Sequence, residues 1–158
     1  MHLLPKLTEL TKQKPIADIF MGWHKDGIAV EVITERSLEL IELFFDTRDR
    51  KTIGFPTRFC HHFLIKIETL DGCEVTRFRT DDAHELCEPS LIDVAGTSSK
   101  VTLWFPKEIL FGYEPAQFKR LGFTYRINGG EQNFTVLDAD FAIEKHPSLW
   151  STLNLENI

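Results

Sequence analysis

Little in this sequence announces chemistry. Three cysteines, Cys60, Cys73 and Cys87, are spread through 158 residues with no Cys-x-x-Cys pair among them. An odd number at loose spacing points to reduced thiols and gives a zinc or dithiol site no ligand set. There is no Gly-x-Ser-x-Gly elbow, and the Gly-Thr-Ser-Ser-Lys at 96–100 lacks the flanks of a phosphate loop. The Asp-x-Asp-x-Asp-Gly spacing of an EF-hand is missing too. No apolar run approaches the ~18 residues of a membrane span, which argues against a membrane partner. The start, Met-His-Leu-Leu-Pro-Lys, has neither the apolar stretch nor the small-residue cleavage site of a secretory signal. Cytoplasmic residence is therefore the expectation, although a piece cut from a secreted or multidomain chain would read the same way. Positive charge is in short supply as well. Eighteen Lys and Arg stand against 24 Asp and Glu, a formal charge of -6, which argues against general nucleic-acid binding.

What the chain does have is phenylalanine and turn pairs. Thirteen Phe against two Met and two Tyr favour strands, because aromatic rings suit a pleated, half-buried surface. Three Asp-Gly or Asn-Gly pairs sit between alternating runs and predict hairpins. Around Asp26-Gly27, Trp23 is expected opposite Val30 and Met21 opposite Val32, with Ile19, Met21, Trp23, Val30 and Val32 on a core face. Around Asp71-Gly72, Ile67 is expected opposite Thr76 and Ile65 opposite Phe78. This puts Phe63, Ile65, Ile67 and Phe78 inward, and His62, Lys66, Glu68, Arg77, Arg79 and Asp81 outward. Around Asn128-Gly129, Phe123 is expected opposite Phe134 and Tyr125 opposite Gln132. Two more strands are read at Leu38–Asp46 and Lys100–Phe105. Short helical turns are expected at Thr8–Lys14, after Pro106, and at Pro115–Lys119. The fold class is all-β: an antiparallel β-sandwich of jelly-roll or immunoglobulin-like topology with one or two short helical turns, a closed barrel being the alternative. No linker divides the chain, so residues 1–158 read as a single domain, with a core at about 17–137 and a lead-in and tail packed on it.

The order of these pieces resembles the family 9 carbohydrate-binding modules and the wider DOMON-like group. The matching pieces are Glu42, Leu43, Asp46 and Asp49 at the end of one strand, then Trp104 to Leu110 running into a proline-led turn, then Gly122 to Asn128. The resemblance implies a β-sandwich without catalytic activity, a sugar or related polar ligand, and a structural calcium for which Asp46 and Asp49 would supply hard oxygens. Without calcium, Asp46 reads as a strand-ending residue whose carboxylate caps the following turn. Met21, the one internal methionine, reads as core and leaves a DOMON-type haem without that ligand.

Two groups of side chains are candidates for ligand binding. Trp104 alternates against Val101, Leu103 and Phe105, so its indole leaves the core face and is the best stacking platform. Trp23 reads as core and Trp150 as an anchor for the tail. The second group is the charged face of the middle hairpin, His62, Lys66, Arg77 and Arg79. Its bland reading is a solvated sheet face with cross-strand ion pairs. Its functional reading is a pocket for an anionic or hydroxyl-rich ligand, since the planar arginine fork suits both. A scaffold module that binds another protein is the alternative function. It needs an exposed apolar patch or an open sheet edge.

Overall fold

The computed structural model describes residues 2–4, 16–34, 38–54, 56–69, 72–78, 84–86, 93–96, 99–135 and 143–155; for residues 68, 69, 72–78, 84–86 and 93–96 the backbone alone is described. Twelve strands lie in these residues: β1 (His2–Leu3), β2 (Ala17–His24), β3 (Gly27–Thr34), β4 (Leu40–Asp46), β5 (Cys60–Thr69), β6 (Gly72–Phe78), β7 (His84–Leu86), β8 (Asp93–Gly96), β9 (Lys100–Pro106), β10 (Arg120–Ile127), β11 (Gln132–Asn133) and β12 (Ser151–Asn154). They form two sheets. The first has the order β1-β2-β3-β9-β8; the second runs β11-β10-β4-β5-β6-β7, with β12 also paired to β10. Every ladder is antiparallel. No helix among the described residues is long and apolar enough to cross a membrane.

The sandwich follows from period-two alternation on facing strands. β9 sends Val101, Leu103 and Phe105 inward, and β4 sends Ile41, Leu43 and Phe45; all six are buried. The sheets meet through aromatic rings. Phe105 of the first lies 5.4 Å from Phe45 and 4.8 Å from Phe63 of the second. Burying each ring contributes about 1.5–3 kcal/mol. One polar side chain belongs to this core. Gln132 is fully buried and makes four hydrogen bonds, accepting from Ile16 N and Ala17 N and donating to Ala17 O and to the Tyr125 hydroxyl. A buried amide satisfied in this way costs little and ties the start of β2 to the second sheet.

The three hairpins depart from their expected registers in different ways. In the first, His24 pairs with Gly27 and Trp23 with Ile28, so Lys25 and Asp26 form the loop. In the third, Arg126 pairs with Asn133 and Ile127 with Gln132, and Asn128, Gly129 and Gly130 all take positive φ in a longer turn. Both shifts keep the parity of the pairing, so the predicted core faces hold. The middle hairpin is different. A bulge between Ile67 and Thr69 skips Glu68, and beyond it Phe63 pairs with Arg77 and His62 with Phe78. One extra residue flips the faces of everything past it. The expected pairings Ile67–Thr76 and Ile65–Phe78 are therefore corrected, and Arg77 occupies the register row of the core residue Phe63. Of the helical turns, the one after Pro106 is a 3-10 turn over Lys107–Ile109. Thr8–Lys14 lies outside the described residues, and residues 115–117 form hydrogen-bonded turns onto Glu114 O.

Candidate functional site

The outer face of the first sheet is built of rows. Gly22, Ala29 and Trp104 lie side by side across β2, β3 and β9; the next row toward the hairpin end is His24, Gly27 and Pro106. In the other direction come Phe20, Glu31 and Thr102, then Asp18, Ile33 and Lys100. Trp104 points outward, as alternation predicts, and is half-buried. What half-buries it is glycine. A Cβ built on Gly27 would lie 2.7 Å from Cζ2 and 3.0 Å from Cη2 of the indole, and 2.3 Å from the Phe105 carbonyl oxygen. The ring lies flat enough on the sheet to need a residue without a side chain beneath it. Gly27, expected in the turn, opens β3 and is a bed for Trp104.

The result is a lane of small residues, Gly22 and Ala29, with Trp104 on one side and Phe20, 36% exposed, on the other. Strand spacing puts the two Cα atoms roughly 12 Å apart. Polar groups border the lane: Glu31, held 3.7 Å from Lys100 Nζ, together with Thr102 and Asp18. An apolar, aromatic floor edged by carboxylates and hydroxyls can stack a ring and hydrogen-bond its substituents.

The second candidate group sits on the far side of the sandwich, on the outer face of the second sheet, so Trp104 and His62 do not share a site. That face is covered around Phe44. Trp150 lies 5.7 Å from Phe44, donates its indole N–H to Ile143 O at 2.8 Å, and with Cys60 and Ile143 closes a small second core. The tail anchor expected of Trp150 is thus in place. Under it His62 stacks on Phe44 at 4.1 Å, and its Nε2 lies 2.8 Å from Glu42 Oε2. Arg126 reaches the same carboxylate with both arms of its fork, Nε to Oε1 at 3.1 Å and Nη2 to Oε2 at 2.7 Å. Burial pushes the Glu42 carboxyl up, but the hydrogen bonds and charges of His62 and Arg126 outweigh it and hold the group below its ordinary value. Lys66 is exposed, opposite Leu40 and Glu74. Arg79 lies outside the described residues, and Arg77, on the Phe63 row, does not join the row of His62. His62 is committed to a buried Glu-Arg cluster and not to an open cationic face. The Glu42 that Arg126 grips comes from β4, a neighbour that no local turn reveals.

Asp46 caps the turn after β4. Its Oδ1 accepts from Arg48 N at 3.1 Å and its Oδ2 from Arg50 N at 2.9 Å. Burial raises its pKa, against the pull of those N–H groups, and the nearby Asp49 charge raises it further. Asp49 Oδ2 accepts from the Thr152 hydroxyl at 2.7 Å. Its Oδ1 is buried outside hydrogen-bond geometry, with the Lys51 ammonium 3.2 Å away as an ion pair. Lys51 also donates to the Trp150 carbonyl. Calcium takes six to eight oxygens. Among the described residues no third His, Cys, Asp or Glu joins these two carboxylates, and a lysine ammonium already stands against the buried oxygen. The donor set fits an internal ammonium and does not fit calcium.

No protein-family model matches the chain. No curated protein matches it either. Among solved structures, the chain is similar to a carbohydrate binding module family 9 (CBM9) from Caldicellulosiruptor kristjanssonii in complex with cellotriose, at 12% identity and a TM-score of 0.58, over 97% of this chain and 80% of that one. At that identity the likeness is one of fold, and the fold of this chain is an all-β sandwich like that of a family 9 carbohydrate-binding module.

Proposed function

We propose that this protein is a non-catalytic carbohydrate-binding module that lays a sugar chain across the outer face of its first sheet. The observation that carries the reading is the half-exposed Trp104 indole lying on Gly27 beside the lane of Gly22 and Ala29. An indole held flat by its own sheet stacks on a sugar ring without losing further side-chain freedom, which is where much binding free energy is otherwise spent. Phe20 offers a second ring farther along, and Glu31, Asp18 and Thr102 offer partners for hydroxyls. The fold likeness to a module solved with cellotriose supports the ligand class. Non-catalytic character is supported by the fold likeness to a binding module, and Cys60 is not a poised nucleophile. Burial first, and then the Asp46 charge, push its thiol up to about 11, far from the thiolate a nucleophile needs. Calorimetric titration with cellotriose tests the reading. The expected result is saturable heat with a Kd of about 1 mM or tighter. No heat with cellotriose or with other neutral oligosaccharides would contradict it.

A further inference from the structure

A second recess lies at the end of the sandwich. It encloses about 300 Å³, between His2, Trp23, His24 and Lys25 on one side and Pro115, Ala116 and Lys119 on the other. Its construction follows from the local chain. β2 ends in Trp23 and His24, and alternation sends the first inward and the second outward. Trp23 is on the last rungs of β2, where the core runs out. It keeps 5% exposure there, and the His2 ring covers it at 4.4 Å. The short side chains of Pro115 and Ala116 make the facing wall. Lys25, in the hairpin loop, and Lys119, just before β10, are both exposed residues of the lining. His24 Nδ1 accepts the Asp26 backbone N–H at 3.2 Å.

The charge of this recess runs against that of the chain. Among the described residues its lining carries two lysines, two histidines and no carboxylate, in a protein of formal charge -6. Asp26, the acid beside it, is not part of the lining; its Oδ2 is 3.4 Å from His24 Nδ1 and its Oδ1 3.7 Å from Lys107 Nζ. A mostly apolar recess with lysines and imidazoles in its lining favours a ligand that brings negative charge and an apolar face. The volume is at the small end of ligand pockets and suits a single ring. The apolar Trp23, Pro115 and Ala116 suit the C–H face of that ring.

We propose that this recess is a second binding site, beyond the hairpin end of the Trp104 face, that takes a small carboxylated ring of the sugar-acid class. The carboxylate lies between Lys25 and Lys119 and the ring lies against Pro115 and the edge of Trp23. The anionic group is argued from the walls of the recess alone; that the ring is a sugar rests on the carbohydrate reading above.

The test is titration of the full chain with glucuronate and with glucose at low salt, for the wild type and for a Lys25→Ala, Lys119→Ala double variant. Both lysines are exposed, so the variant keeps its core. The wild type is expected to bind glucuronate about tenfold or more tighter than glucose. The double variant should lose that preference while its cellotriose affinity stays unchanged. A glucuronate preference retained in a Trp104→Ala variant that has lost cellotriose would support two separate sites. Equal affinity for the two sugars would overturn the proposal, as would a preference that survives loss of both lysines. Inorganic sulfate competing as well as glucuronate would mean a plain anion site and would overturn the sugar-acid assignment.

Discussion

Replacing Trp104 by alanine is expected to weaken cellotriose binding by about 30-fold or more, a loss of about 2 kcal/mol of the kind seen for a central aromatic anchor. Two features set this size. The indole is positioned before any ligand arrives, because it lies over Gly27, where an added Cβ would come within 2.7 Å of the ring. Around it, Gly22 and Ala29 present no side chain large enough to replace a lost ring. The fold should survive. Trp104 points away from the core, which is filled instead by Val101, Leu103 and Phe105 of the same strand. A destabilisation of about 1–2 kcal/mol is expected, well short of a core Trp→Ala change. Trp104→Phe should keep an intermediate affinity, since it keeps a ring on the glycine bed. An unchanged cellotriose affinity in Trp104→Ala, with the protein folded by circular dichroism, would remove the platform from the account.

Arg126→Met should have the larger effect on stability, about 3 kcal/mol at neutral pH by urea denaturation. The methionine keeps the packing over Phe44, whose centroid lies 5.4 Å from the guanidinium, and removes the charge. Glu42, with 7% of its side chain exposed, is then left with His62 as the remaining partner of its carboxylate. Breaking one side of a buried pair costs more than the pair contributes, because the other charge stays desolvated. The pH dependence has a definite sign. The folded pKa of Glu42 lies below the ordinary value of 4.5, so this group stabilises the fold above 4.5 and loses that contribution as pH falls through the lowered value. The variant lacks the share of the lowering that Arg126 supplies. The gap between wild type and variant should therefore narrow as pH falls below 4.5. A gap under about 0.5 kcal/mol at neutral pH, or one of constant size down to acid pH, would contradict the cluster.

The parts of the fold legible in the sequence were those governed by alternation. Ile19, Met21, Trp23, Val30 and Val32 are buried although their hairpin turns one residue earlier than the Asp-Gly pair implied. A register shift that preserves parity leaves the faces alone. Trp104 was legible for the same reason. Arg77 was not, because the bulge at Glu68 changes parity and nothing in Glu68-Thr69-Leu70 marks it beforehand. Contacts between hairpins were equally hidden. Glu42 finds Arg126 only because β10 lies beside β4, and Gln132 finds Ala17 only because the two sheets meet there. Local rules constrain which way a side chain points; they do not say which strand it will face. The end recess was missed on the same ground, as it joins β2 to a loop some ninety residues later.

The most direct measurement is backbone and indole chemical-shift mapping of the isotope-labelled protein as cellotriose is added. The account predicts that the Trp104 indole N–H and the backbone amides of Gly22, Gly27, Ala29 and Glu31 move together and saturate with one dissociation constant. Shifts confined to β4, β5 and β10, with the Trp104 indole unmoved, would place the ligand on the opposite sheet and contradict it.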